Sequence, residues 1–152
     1  MALELAVSGF ATGEAIPRRH TCEGEDISPA MSWTGAPGGT RSFVLIVDDP
    51  DAPASTWNHW LLYDIPPSTC SLPEASRPGQ TGLDGTNDFG RAGYGGPCPP
   101  RGRGPHRFFF KLFALQTASL GLPPGARRAD LDAALGPHVL AEAHYLGRYE
   151  RK

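Results

Sequence analysis

The stretch RSFVLIVDDP, residues 41–50, gives the clearest indication of the fold. It is a continuous apolar run, rich in β-branched side chains, that ends at Asp-Asp-Pro, a pattern typical of a strand buried on both faces. The run WNHWLLYDIP, residues 57–66, has the same character and follows the turn-rich DPDAPAST. The two runs therefore predict an antiparallel hairpin at the centre of a sheet.

A third strand is predicted at HRFFFKLFAL, residues 106–115, because aromatic side chains pack well on a pleated surface. Weaker strand candidates are LELAV, which starts at Leu3, and AMSW, which ends at Trp33. Residues 66–104 show little apolar periodicity. A compact domain normally tolerates so long an irregular stretch only when the loop is functional.

The C-terminal residues 127–151, RRADLDAALGPHVLAEAHYLGRYER, have a different pattern. Apolar side chains recur there at helical spacing, first at Leu131 and Leu135 and again from Val139 to Leu146. Gly136-Pro137 would divide the segment into two helices, with the proline in the first turn of the second. We therefore predict two short C-terminal helices.

The composition favours one loop-rich, mainly β domain over residues 1–152. Hydrophobic residues make up 39% and charged residues 20% of the chain, which is ordinary for a globular protein. The 19 glycines and 16 prolines fall between short β-rich runs and form no repeat.

The formal net charge of −2 argues against a nucleic-acid partner, because proteins that bind nucleic acid usually carry a basic face. The N-terminal MALELAVSGF lacks a signal-peptide pattern, and no run approaches the roughly 18 apolar residues of a membrane span. We expect a cytoplasmic protein without integral membrane contact. Three widely spaced cysteines, Cys22, Cys70 and Cys98, indicate neither a disulfide framework nor a paired zinc site, but leave room for one bridge.

The three predicted strands each carry one titratable side chain at the end of an apolar face. By strand alternation these faces are Phe43, Leu45, Val47 and Asp49; His59, Leu61, Tyr63 and Ile65; and His106, Phe108, Phe110 and Leu112. An antiparallel hairpin brings Asp49 and His59 to the same edge of the sheet. His106 joins them if the third strand starts at that edge.

A carboxylate and two imidazoles over an aromatic floor would form a small pocket, rimmed by residues 93–104. Glycines in that loop allow backbone N–H groups to approach an oxyanion, and prolines stiffen the wall. The pattern therefore predicts an anion site. The alternative interpretation is that both histidines are strand-end residues bonded to neighbouring carbonyl groups.

Several segments occur in a specific order that spans nearly the whole chain. They are TCEGEDISPAMSW (21–33), DDPDAP (48–53), WNHW (57–60), NDFG (87–90), GYGGPCPPRGRGPHRF (93–108) and LGRYER (146–151). In this order they resemble the phosphatidylethanolamine-binding proteins, in the bacterial and archaeal branch described as Raf kinase inhibitor-like.

The resemblance implies a β-sandwich in which a large antiparallel sheet packs on a smaller one, with a pocket for phosphate-type head groups. The ligand-binding residues we expect are Asp49, Asp51, His59, Gly96, Pro97, Pro100, His106 and Phe108, with no metal and no cofactor. Asp51 is also a candidate turn-former, since aspartate side chains bond nearby backbone in such turns. The family often has tyrosine where this chain has Phe108. A cis bond between Ala52 and Pro53 would aim the turn.

Three functions follow as hypotheses. The leading one is non-enzymatic binding of a small phosphorylated or otherwise anionic group. The second is a protein-interaction module that inhibits a kinase or protease, and a homodimer is also plausible. The third is an enzyme in which Asp49, His59 and His106 act as acid and base or hold a metal, or in which Cys98 is a nucleophile.

Overall fold

The computed structural model describes residues 2–152 as two antiparallel sheets with short helices. In chain order the strands are β1 (Glu4–Val7), β2 (Met31–Thr34), β3 (Ser42–Asp49), β4 (Trp57–Ile65), β5 (Ser71–Leu72), β6 (Leu83–Asp84), β7 (His106–Leu115) and β8 (Val139–Tyr149). The α-helix α1 spans Arg128–Leu135, and 3-10 helices span Arg18–His20 and Gly136–His138. No helix within residues 2–152 is long and apolar enough to cross a membrane.

Strand β3 lies in the middle of the larger sheet, whose order is β6-β4-β3-β7-β8. All eight of its residues are buried, as its unbroken apolar run predicts. It pairs antiparallel with β4 on one side and with β7 on the other. The predicted central hairpin and third strand are thus confirmed, and so are the weaker candidates, which form β1 and β2 of the smaller sheet.

The larger sheet is covered on both faces, which gives the predicted β-sandwich. One face packs on the smaller sheet, and that core includes Val7, Met31, Trp33, Leu45, Val47, Trp60, Phe108, Phe110 and Leu112. The other face packs under α1, and its core includes Val44, Ile46, Leu61, Tyr63, Leu131 and Leu135. Since apolar burial is the main favourable contribution to folding, the strands cannot shift without exposing one core or the other.

The prediction of a second C-terminal helix is wrong. Only α1 is an α-helix in this segment, and the residues after the 3-10 turn form the edge strand β8. Strand β8 pairs with β7 along nearly its whole length, from Val139 opposite Leu115 to Tyr149 opposite His106. The backbone hydrogen bonds of this long ladder stabilise the strand, although the local spacing of apolar residues would also suit a helix.

The predicted alternation of β4 is also partly wrong, because two register shifts interrupt its pairing with β3. Leu61 and Tyr63 face the core under α1 and not the core between the sheets. At the second shift, Val47 pairs with Trp60 and Asp48 pairs with Asn58, so His59 has no partner on β3. The extra residue of such a bulge re-aims its side chain.

The described peptide bonds are all trans, including the one between Ala52 and Pro53. The prediction of a cis bond there is therefore wrong, and the turn after β3 is shaped by side-chain hydrogen bonds described below.

Truncation of a central core side chain should lower the free energy of unfolding far more than truncation at the edge. Leu45 on β3 is fully buried, whereas Leu140 on β8 is 39% exposed. We expect Leu45→Ala to cost about 2–5 kcal/mol and Leu140→Ala about 0.5 kcal/mol or less, measured by urea denaturation. Equal losses in the two variants would contradict the assigned core.

Candidate functional site

A pocket of about 200 Å³ opens at the edge of the larger sheet where β3 ends and where β4 and β7 begin. Its lining combines three titratable side chains with apolar walls. The lining residues are Asp49, Ala52, Pro53, Trp57, His59, Phe89, Cys98, Pro99, Pro100 and His106. The sheet edge thus brings together the carboxylate and both imidazoles that strand order predicts.

The carboxylate of Asp49 organises one side of the pocket. Its Oδ2 accepts a hydrogen bond from Nδ1 of His106 at 2.7 Å, and its Oδ1 accepts one from the backbone N–H of Asp51 at 2.8 Å. The side chains of Asp49 and His106 are only 5% and 8% exposed. Because a carboxylate only accepts, His106 carries a proton on Nδ1 and presents Nε2 as its second polar atom.

His59 is held in a similar way by the backbone of the loop that follows β6. Its Nδ1–H donates to the carbonyl oxygen of Gly95 at 2.7 Å, and the N–H of Gly95 donates back to the carbonyl of His59 at 2.9 Å. Burial lowers the pKa of His59 below its ordinary value of 6.5, against the opposing effects of the Gly95 carbonyl and the Asp49 carboxylate. His59 is therefore neutral at neutral pH.

Neither imidazole uses its Nε2 atom within the described part of the chain, where no hydrogen bond to either atom is formed. The interpretation of His59 as a strand-end residue bonded to a carbonyl thus holds for one ring nitrogen only. The pocket therefore contains two histidines whose orientation is fixed from behind.

Aromatic rings enclose the imidazoles. The Phe108 ring, 1% exposed, stacks on His106 at 6.4 Å between centroids and meets the edge of His59 at 5.3 Å. Phe89 packs edge-on against both His59 and Trp57, at 5.4 Å and 5.5 Å. Phe89 and Trp57 are each 38% exposed, so they form the rim of the pocket.

The proline-rich wall is fastened by a disulfide between Cys22 and Cys98, with 5.4 Å between the Cα atoms. This bridge removes Cys98 as a free thiol, so the hypothesis of a Cys98 nucleophile is wrong. Cys70 is the free cysteine and is exposed.

Backbone N–H groups of the glycine loop are already engaged. The N–H of Gly96 donates to Oδ1 of Asp26 at 2.7 Å, and a Cβ at Gly96 would overlap this carboxylate oxygen. The prediction that these glycine N–H groups are free to hold an anion is therefore wrong for Gly95 and Gly96.

Four of the predicted ligand-binding residues support the pocket without lining it. They are Asp51, Gly96, Pro97 and Phe108. The guanidinium of Arg107 donates to the carboxylate of Asp51 from Nε at 3.0 Å and from a terminal nitrogen at 2.9 Å. These hydrogen bonds lower the pKa of Asp51 to about 2. Asp51 thus fixes the turn after β3 to the start of β7, which is a long-range contact and not the bond to nearby backbone that the turn-former alternative expects. Within the turn that bond is made by Asp49, which accepts the N–H of Asp51.

Comparison with known proteins places these features in a family. Residues 6–150 match the family model of the phosphatidylethanolamine-binding protein. A UPF0098 protein of Aquifex aeolicus (strain VF5) is 54% identical over 152 residues, covering 98% of this chain and 89% of that protein. The chain belongs to the phosphatidylethanolamine-binding protein family.

Solved structures of family members share the fold. The crystal structure of E. coli YbcL, described as a member of the mammalian family, matches with a TM-score of 0.93 at 36% identity over 100% of both chains. The homologue CT736 from Chlamydia trachomatis matches with a TM-score of 0.91 at 34% identity over 99% of both chains. The family resemblance and the sandwich fold predicted from the sequence are confirmed.

The sequence prediction of a rim at residues 93–104 includes the lining residues Cys98 and Pro99. The expected ligand-binding residues do not include four others that line the pocket, Ala52, Pro53, Trp57 and Phe89. Ala52 and Pro53 lie in the turn between β3 and β4 and Trp57 is the first residue of β4, so their closeness to Asp49 and His59 is an available signal. The place of Phe89 depends on Gly95, since a Cβ at Gly95 would overlap the Phe89 ring.

Removal of the disulfide should destabilise the protein, because the bridge closes a long loop of sequence separation 76. We expect the double variant Cys22→Ser, Cys98→Ser to lose about 2–5 kcal/mol of unfolding free energy. The exposed Cys70→Ser should lose about 0.5 kcal/mol or less. Guanidinium denaturation measures all three proteins, and equal stability of wild type and double variant would contradict the assigned bridge.

The lowered pKa of His59 predicts a pH dependence of stability. As pH falls below about 6.5, the unfolded chain takes up a proton that the buried, neutral His59 does not. The stability contributed by neutral His59 is therefore present above that pH and lost as the pH falls. Thermal unfolding between about pH 8 and pH 5 should show a shallower decline in His59→Gln than in wild type. The exposed His144→Gln serves as the control and should keep the wild-type slope.

Proposed function

We propose that the pocket binds a small oxyanion of the phosphate type and catalyses no reaction on it. The observation that carries this proposal is the pairing of two imidazoles, His59 and His106, whose Nδ1–H groups donate to fixed acceptors. Each ring is left with Nε2 for a ligand, in a pocket whose other walls are mainly apolar.

The protonation state decides which ligand these atoms accept. A neutral imidazole with its proton on Nδ1 offers a lone pair at Nε2, whereas an imidazolium offers an N–H donor. An oxyanion therefore binds either with its own acidic proton or with uptake of a proton by a histidine. The Asp49 carboxylate supplies a counter-charge in place beside His106, and charge-assisted hydrogen bonds are about twice as strong as neutral ones.

The pocket, of about 200 Å³, has room for a small ligand. A phosphoryl group with a short substituent has this size. The exposed rings of Trp57 and Phe89 lie where the substituent would leave the pocket.

Several observations favour binding over the enzyme hypothesis. Among the lining residues none is a serine or threonine, and Cys98 is in a disulfide. An Asp-His pair without a nearby hydroxyl or thiol has no protein nucleophile to activate.

Titration calorimetry with sodium phosphate, O-phosphoethanolamine and ethanolamine tests the proposal. We expect saturable binding of the two phosphates, tighter at about pH 6 than at about pH 8, because an oxyanion binds at Nε2 only with a proton, carried by the ligand or taken up by the ring. Loss of one charge-assisted hydrogen bond in His106→Gln should weaken binding about ten- to a hundredfold, while His144→Gln binds as wild type.

Two outcomes would overturn the proposal. One is binding of ethanolamine but of neither phosphate, which would mean that the two Nε2 atoms accept hydrogen bonds from a donor ligand. The other is phosphate binding of equal strength in wild type and in folded His106→Gln.

The disulfide bears on the predicted cytoplasmic location. Disulfides are rare in the reducing cytosol of mesophiles but occur in intracellular proteins of hyperthermophiles. The Cys22–Cys98 bridge therefore fits a cytoplasmic location if the organism is a hyperthermophile, and thiol alkylation of intact cells would show whether the bridge is formed there.

Inhibition of a kinase or protease and assembly as a homodimer stay predictions from the sequence.

A further inference from the structure

A network of charged and polar side chains lies on the face of the larger sheet opposite the pocket. We call it the reverse-face network and define it as Asp48, Asn58, Asp88 and Arg128. One terminal guanidinium nitrogen of Arg128 donates both to Oδ2 of Asp48 and to Oδ1 of Asn58, each at 2.8 Å. The side-chain amide of Asn58 then donates to Oδ2 of Asp88 at 3.0 Å.

Three members of the network each precede a pocket residue in the chain. Asp48 precedes Asp49, Asn58 precedes His59, and Asp88 precedes Phe89. Asp48 and Asp49 point to opposite faces because they are successive residues of a strand. Asn58 and His59 lie at the bulge and Asp88 and Phe89 in a turn, yet in both pairs the first side chain belongs to the network and the second lines the pocket. The network therefore holds the backbone directly behind the carboxylate, one imidazole and the rim ring.

The network replaces regular strand pairing where that pairing is interrupted. The bulge between β3 and β4 leaves His59 without a partner on β3, while Asp48 and Asn58 are paired across the strands. The Arg128 guanidinium joins these two side chains beside the bulge. The extra residue of a bulge has no partner in the ladder, so His59 is held by its bonds to Gly95 on one side and by the network bonds of the preceding residue, Asn58, on the other.

The loop that carries Phe89 is tied to the same point. The Asp88 carboxylate accepts the backbone N–H of Asn58 at 2.6 Å, and the N–H of Asp88 donates to the carbonyl of Asn58 at 2.9 Å. Through Asn58 the position of this loop depends on Arg128. The network thus joins α1, where Arg128 is the first residue, to the rim of the pocket.

Burial makes the network sensitive to loss of a partner. The Asp48 side chain is 1% exposed, and within residues 2–152 its Oδ1 has no hydrogen-bond partner. Its orientation therefore depends on Oδ2, which binds Arg128 and also Lys111, at 2.9 Å. Removal of Arg128 would leave this buried carboxylate with Lys111 as its one remaining cation, which is energetically costly and favours a rearrangement of Asp48, the residue directly before Asp49 on β3.

We propose that Arg128 is a positioning residue for the pocket, acting through Asp48, Asn58 and Asp88 on Asp49, His59 and Phe89. Its effect on ligand affinity rests on the proposed binding of a phosphate-type oxyanion. Its effect on the geometry of the pocket does not. Arg128 suits the role because one planar fork bonds several acceptors at once, which a lysine ammonium on a flexible stem does less well.

The test compares Arg128→Met with Arg128→Lys and with the control Arg127→Met, a neighbouring exposed arginine outside the network. Two-dimensional ¹⁵N NMR of the imidazoles reports the environment of His59 and His106, and calorimetry with sodium phosphate reports affinity. We expect Arg128→Met to shift the His59 signals and to weaken phosphate binding on the order of tenfold, as loss of outer supporting partners does in other sites. Arg128→Lys should lie between, and Arg127→Met should match wild type.

The readouts separate the two proposals. If wild type does not bind phosphate, the proposed function fails, while shifted His59 signals in Arg128→Met still support positioning. Unchanged His59 signals and unchanged phosphate affinity in a folded Arg128→Met would overturn the proposal that Arg128 positions the pocket. If Arg128→Met does not fold, Asp88→Ala at the loop end of the network takes its place, and unchanged His59 and Phe89 signals in that variant would overturn the proposal equally.

Discussion

The hydrogen bond between Nδ1 of His106 and the Asp49 carboxylate determines what the pocket offers to a ligand. Asp49 accepts from His106 with one oxygen and from the Asp51 N–H with the other, so one side chain fixes both a turn and an imidazole. With Nδ1 engaged, only Nε2 of His106 remains for a ligand. His59 reaches the same arrangement with a carbonyl as its fixed acceptor, at Gly95.

The larger sheet separates the polar side chains of the pocket from those of the reverse-face network. On the side of the pocket, one carboxylate and two imidazoles lie among aromatic and proline side chains. On the reverse side, the buried Asp48 forms an ion pair with the half-buried Arg128. Three network residues, Asp48, Asn58 and Asp88, each directly precede a pocket residue in the chain, and the proposed role of Arg128 rests on this adjacency.

How much of this could be predicted from sequence depended on the regularity of each strand. Asp49 and His106 lie on regular strands, so alternation placed them correctly at one edge. His59 reaches that edge through a bulge, which the pattern of β4 does not reveal. Leu61 and Tyr63 consequently face the opposite core from the one that alternation predicts.

The remaining differences come from long-range contacts. Pairing of Cys22 with Cys98 depends on where the fold brings two loops separated by 76 residues. The sequence predicts a helix where strand β8 forms, because Val139, Leu140, Ala143 and Leu146 fit helical spacing. The alanines of this segment are small, so the apolar alternation of a strand is weak there. Its ladder with β7 settles the conformation, and a local pattern does not contain that ladder.

A crystal structure of the protein soaked in sodium phosphate tests the central claim most directly. The account predicts an anion in the pocket with oxygen atoms about 2.7–3.2 Å from Nε2 of both His59 and His106, while the Nδ1 bonds to Gly95 and Asp49 are kept. Phosphate bound only at surface arginines, with the pocket free of anion at saturating concentration, would contradict the account.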